Sequence, residues 1–266
     1  MQLLSTLSYL VEKTVRAKTH LDALNRELDI YLKDSHTVIT KEDTQNSRYI
    51  RRTELKPMST IIGMLLGEFL YSLRSGLDQL AWQLALPTSR QNSERDVYFP
   101  IVADVSNPNR LRTHQDRLKL FPDEVAREID AVQPYKGGSS AQDHPLWYLH
   151  LLCNFDKHRV IPINSRGVDI FVPHNPAVLI QHFNDEDAVE VSIPFKDKWQ
   201  FDFDPGSTMT IEFGEWDTDF GVPRQKVTDI HGFFTNTIIP RFSRFNARAV
   251  ATPEIRILPG KTIYSK

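Results

Sequence analysis

The chain has 266 residues, 32 of them basic and 34 acidic, for a formal net charge of -2. Apolar residues make up 40% and charged residues 25%, near the globular norm. A wholly disordered chain, a collagen-like repeat and a disulfide scaffold are excluded. The near-zero net charge also speaks against an obligate nucleic-acid coat protein, while leaving room for local basic patches.

A chain of this size buries roughly three quarters of its unfolded surface, so a sizeable core is expected. The single cysteine, Cys153, follows Leu151 and Leu152 and has no internal disulfide partner. It reads as a buried small hydrophobe in a reducing compartment, hence cytoplasmic. The first twenty residues lack the basic leader, apolar core and cleavage site of a secretory signal. The uncharged apolar stretch 57–67 has 11 residues. A membrane span needs about 20, so a soluble protein with no membrane partner is expected.

Residues 1–56 contain neither glycine nor proline. Leu7, Leu10, Val11, Leu21, Leu24, Leu28 and Tyr31 recur at helical spacing, which predicts an amphipathic helix over 3–33. Val38, Ile39, Tyr49 and Ile50 flank the polar run KEDTQNS, and a β-hairpin excursion over 36–54 with its turn at 41–47 follows. Pro57 suits a helix start, and the next helix should reach about residue 86, before Pro87. It is apolar on most of its circumference, as a central helix of a bundle is. Residues 88–106 read as loop with an extended piece at 98–101.

Short helices are expected at 107–119 and from Pro122 onward, where Asp123 and Glu124 suit the helix dipole. Residues 137–140 read as a glycine-serine loop, and a further helix covers 145–159. Beyond residue 160, short runs at 168–172, 177–183, 188–195, 200–203 and 208–213 alternate apolar with polar residues, as half-buried antiparallel strands do. A last helix spans 223–239, ended or kinked by Pro240, and 254–258 reads as a final strand. The fold class is therefore α+β. An N-terminal helical bundle (1–160) with a hairpin excursion precedes an antiparallel sheet with a closing helix (161–266), the two packed as one unit or as separate domains.

The central helix carries Glu68, Ser72, Arg74, Ser75, Asp78 and Gln79 among its apolar residues. Charges there need partners. Arg74 and Asp78, four apart, can bond each other. On the 145–159 helix, His150, Asn154, Lys157 and His158 share a side, and Asp156 to Arg159 crowd the last turn. Packing of the two helices would let Asp78 meet His158 or Arg159, and Arg74 meet Asp156. Such a network either fixes helix register or forms a pocket for an anion, a nucleotide or RNA.

No zinc-site spacing, nucleophile elbow or phosphate-binding glycine loop is present, so no metal or cofactor is expected. Basic clusters occur at Arg48, Arg51 and Arg52, at Arg110, Arg112, Arg117 and Lys119, and at Arg241, Arg244 and Arg248. Solvated faces explain them more simply than phosphate contacts do.

The series GEFLYSLRSGLDQLAWQL, FPI, QPYKGG and HPLWYLHLLCNFDKHR resembles a widespread bacterial family with LRSxLD(H/Q)LxWQL and LW…NxDKHR motifs. That resemblance covers roughly the first 160 residues and implies no activity. A further resemblance is to the HEPN superfamily, helical bundles that include metal-independent ribonucleases and toxins of defence systems. Their motif is an arginine, four residues, then a histidine, both acting on RNA phosphate. Arg74 matches the arginine, while Gln79 stands at the histidine position, so the imidazole is missing there.

The resemblance implies an RNA- or nucleotide-binding module, a degenerate ribonuclease of a defence or stress system, and a homodimer formed across the motif helix. Arg74 and His158 would then be the catalytic pair, with Asp78, Gln79, Asp156, Lys157 and Arg159 completing the binding side. The alternative is a structural or partner-binding protein whose polar network only fixes helix packing.

Overall fold

A computed structural model describes residues 6–33, 36–55, 58–158, 163–168, 179–183, 188–194, 209–213 and 222–245. Helix α1 (Thr6–Lys33) buries Leu10, Thr14, Ala17, Leu21, Leu24 and Leu28, in alternating steps of four and three. That narrow seam lies along α2 (Thr60–Leu84). Val11, assigned to the apolar face by its spacing, is instead 37% exposed.

Helix α2 starts after Ser59, whose hydroxyl accepts the Ile61 N–H. A serine N-cap thus sets the boundary, three residues later than the proline at 57 suggests. The helix ends at Leu84, and Pro87 begins a short helix, α3 (Pro87–Asn92), that the loop reading of 88–106 did not include. Proline at the first position of α3 forfeits no hydrogen bond there.

Two glycines let neighbours approach α2. A methyl group at Gly76 would stand 3.0 Å from Leu10 Cδ1 on α1. One at Gly67 would stand 2.8 Å from Asp156 Oδ1 on α6 (Pro145–His158). Between them run α4 (Pro108–Leu118), α5 (Asp123–Ala131) and a stretch of tight 3-10 turns over Pro134–Asp143. Asn107 caps α4 by accepting the Asn109 N–H at 2.9 Å. The 137–140 segment lies inside the 3-10 stretch, with Gly138 at φ 59°.

Strands β1 (His36–Asp43) and β2 (Arg48–Leu55) form the expected hairpin, with a tighter turn. Asp43 accepts the N–H groups of Gln45 and Asn46, and Ser47 takes the left-handed conformation at φ 54°. The hairpin is no isolated excursion. Strand β2 pairs antiparallel with β5 (Ala188–Pro194), Arg48 opposite Pro194 and Glu54 opposite Ala188. Strand β4 (Leu179–Phe183) completes the sheet in the order β1-β2-β5-β4.

A second sheet joins β3 (Ile163–Val168), β6 (Met209–Phe213) and the two-residue β7 (Val222–Pro223), all antiparallel. Its Phe213 and Val222 reach the core. Helix α7 (Arg224–Phe233) continues through a π-helical turn at Phe234–Ile238 into α8 (Ile239–Ser243). Pro240 lies just beyond that turn and interrupts nothing, because the backbone has already left the i→i−4 pattern. The expected strands at 200–203 and 254–258 lie outside the described residues. The architecture is α+β.

Candidate functional site

The polar residues of α2 are organised around an extended segment, residues 98–102. Arg74 Nε donates to Asp78 Oδ2 at 3.1 Å, and Arg74 Nη2 stands 3.0 Å from Asp78 Oδ1. The same Nη2 donates to the Phe99 carbonyl at 3.0 Å, while the Phe99 N–H donates to Asp78 Oδ1 at 3.1 Å. One ion pair therefore holds both backbone groups of Phe99, whose ring is fully buried edge-on against Phe242.

Buried Gln133 holds the next residues. Its amide donates to the carbonyls of Pro100 and Ile129, and its oxygen accepts the Val102 N–H, all at 2.9 Å. The Tyr135 N–H closes on the Val102 carbonyl at 3.0 Å. The runs LRSGLD, FPI and QPY, far apart in sequence, thus converge on one strand-like piece of backbone.

Burial pushes the Asp78 carboxyl above its ordinary range, against the pull of Arg74, the Phe99 N–H and Lys157. Arg74 is 17% exposed, and its Nη1 is buried without a partner. Its positive charge, with that of Lys157, reaches the adjoining face of α6. There His150 is held below its usual value by burial first and by these two cations second. Cys153 is pushed up to about 12 by burial, so it is a protonated thiol with no nucleophilic character. The Asn154 amide stands 3.1 Å from His150 Nε2, which must accept because the amide nitrogen only donates.

Helix packing brings together only part of the expected set. Arg74 and Asp78 meet as expected from their spacing. Asp156 does not pair with Arg74; it faces Gly67, and burial and then the charge of Glu68 raise its carboxyl. Lys157 and Gln79 are exposed. The side chain of His158 and all of Arg159 lie outside the described residues.

A neighbouring cleft of about 450 Å³ opens between α4, α6 and residues 101–104. Arg110, Thr113, His114 and Arg117 line it from α4, and Trp147 and His150 from α6. His114 is buried, with Nε2 2.9 Å from Asp130 and Nδ1 without a partner. Asp130 also accepts from the Tyr135 hydroxyl at 2.5 Å and pairs with Lys136 at 2.7 Å. Burial opposes its charge, yet these three donors together hold its carboxyl below the usual range.

Sequence spacing placed Arg110 on a solvated face, where it is 64% exposed, but missed Trp147, His114 and Gln133. The signal present was the three-residue step from Trp147 to His150 and the four-residue step from Arg110 to His114, each putting two polar or aromatic groups on one helix face.

In the other two basic clusters, Arg48, Arg241 and Arg244 are engaged with protein groups. Arg48 bonds Ser192 across the sheet, at 2.5 Å to its hydroxyl and 2.6 Å to its carbonyl. Arg241 and Arg244 both clasp Glu128. Among the described residues, no group of three or more His, Cys, Asp and Glu side chains is placed to hold a metal ion, and no helix is long and apolar enough to cross a membrane.

Comparison with known proteins adds little. No family model matches the chain, and no solved structure matches it. A sulfate adenylyltransferase of Kluyveromyces lactis is 21% identical over 139 residues, covering 47% of this chain. The chain spans 27% of the length of that protein.

Proposed function

We propose that this chain is an HEPN-like module, a helical bundle with an antiparallel sheet behind it and a closing helix, that binds RNA or a nucleotide without cutting it. The supporting observation is the fixed guanidinium of Arg74. It is held in place by Asp78 and Phe99, and Lys157 stands exposed on the neighbouring helix face. Two cations next to a rigid backbone segment suit a phosphate group.

Cleavage is left out of the reading because Gln79 carries no titratable ring at the histidine position of the motif. The likeness to a sulfate adenylyltransferase is too short to bring that activity here. A homodimer formed across the motif helix is part of the same reading, as the HEPN resemblance implies. The lone buried thiol supports a cytoplasmic protein.

The convergence of three motif segments on residues 99–102 favours a second reading, in which Arg74 and Asp78 are only a structural lock. Filter binding with a short single-stranded RNA separates the two. Lys157→Ala, on an exposed residue, should weaken binding and steepen nothing else; its salt dependence should fall by about one phosphate contact. If wild type does not bind RNA, or Lys157→Ala binds as wild type does, the lock alone remains.

A further inference from the structure

We propose that the cleft between α4 and α6 binds a small anion carrying a flat ring, the ring lying on Trp147 and the anionic group meeting Arg110 and Arg117. This site does not depend on Arg74 or Lys157, and so stands apart from the RNA reading above.

The volume of about 450 Å³ falls within the range of pockets that enclose small ligands. Its two walls differ in chemistry. On α6, the indole of Trp147 and the ring of His150 lie 5.7 Å apart and 31° from parallel, a nearly continuous aromatic surface. His150 accepts from Asn154 through Nε2, so its ring is neutral with the N–H on Nδ1. On α4, Arg110 and Arg117 stand seven residues apart, two turns along one face. The Arg117 guanidinium carbon sits over the Tyr98 ring at 4.6 Å from its centroid, a contact that uses none of its donors on a carboxylate. Arg110 pairs with Asp104 at 2.8 Å, but both side chains are largely exposed, so this pair exchanges readily for a ligand anion.

At the floor, His114 donates from Nε2 to Asp130, and its buried Nδ1 has no protein partner in a side chain 1% exposed. Two sources share this chemistry: a nucleoside monophosphate and an aromatic carboxylate.

Calorimetric titration of the full chain with adenosine 5′-monophosphate, indole-3-acetate and inorganic phosphate tests the assignment. Saturable binding is expected for at least one ring-bearing anion, with phosphate alone at least roughly tenfold weaker. The stronger of the two ring-bearing probes identifies the source. The Arg110→Ala/Arg117→Ala variant should weaken that probe by at least roughly tenfold. Trp147→Leu should weaken it while leaving phosphate unchanged, with Trp147→Phe retaining binding and serving if the leucine variant does not fold. Absence of saturable binding by all three probes overturns the proposal, as does unchanged affinity in a folded double arginine variant. Loss of RNA binding in Lys157→Ala bears only on the other reading.

Discussion

Asp78 accepts the backbone N–H of Phe99 at 3.1 Å, twenty-one residues away in sequence, while neutralising the guanidinium that binds the carbonyl of that residue. Helix α2 is thereby tied to an otherwise ladder-free extended segment through both of its backbone hydrogen-bonding groups. The pair is a positioning device first, and its value to any ligand comes through what it holds still.

Asp78→Ala should therefore destabilise the protein by about 1–3 kcal/mol, a range reduced for solvent screening because the carboxylate is 38% exposed. It strands the Phe99 N–H and leaves Arg74 without its counter-charge. Asp78→Asn keeps an acceptor and should recover part of the loss. Chemical denaturation of the three proteins checks the order, and a fully stable alanine variant would contradict it.

Gln133→Ala should cost more, about 2–4 kcal/mol. The side chain is 1% exposed, and its removal leaves the Val102 N–H and the Pro100 carbonyl unmatched next to a new cavity. Hydrogen exchange should show the 98–102 segment losing protection before α2 does. Uniform loss across the chain would show that the segment has no stability of its own.

The glycines of α2 should separate. At Gly76 a methyl meets buried Leu10 at 3.0 Å and Lys13 Cβ at 3.3 Å, so Gly76→Ala should lower the melting temperature despite the gain of about 1 kcal/mol in helix propensity. At Gly67 the obstacle is the tip of an exposed Asp156 side chain, which can rotate away. Gly67→Ala should be neutral or stabilising, and thermal melts that reverse this order would refute the packing argument.

The pH dependence has a definite sign at Asp130. Its folded carboxyl titrates below the unfolded value of roughly 3.9, so its contribution is complete above that pH. It is lost as the pH falls through the lower, folded value. Asp130→Asn should flatten the acid limb of a stability-against-pH curve below roughly pH 4. Asp78 has the opposite sign, since its raised carboxyl favours the protonated form in the folded state. Urea melts of both asparagine variants across this range read the two slopes.

Cys153 should resist thiol reagents in the native protein. Its thiol, buried and pushed up to about 12, offers almost no thiolate near neutral pH. Reaction with a disulfide reagent should follow the unfolding transition, and a fast native reaction would place the side chain at the surface.

Local signals explain why much of the fold was readable. The four-and-three spacing of α1 and the alternation in β5 and β6 are each written within one short stretch, where geometry alone relates side chain to face. The Arg74–Asp78 pair belongs to the same class, being one helical turn apart. The 98–102 segment was legible only as an extended piece, because its partners come from α2 and from Gln133 and Tyr135.

Composition and periodicity thus determined that this protein has a long apolar helix with an internal ion pair, strands after residue 160 and no chemistry-bearing motif at tight spacing. Tertiary packing alone decided that the hairpin joins β5, that Arg74 faces Phe99 and not Asp156, and that Arg110, Arg117 and Trp147 share a cleft. The reason is range: residues 25 to 144 apart meet only after the elements pack, and Gly76 sets one such approach, of α1 to α2. Side-chain periodicity carries no information about that packing.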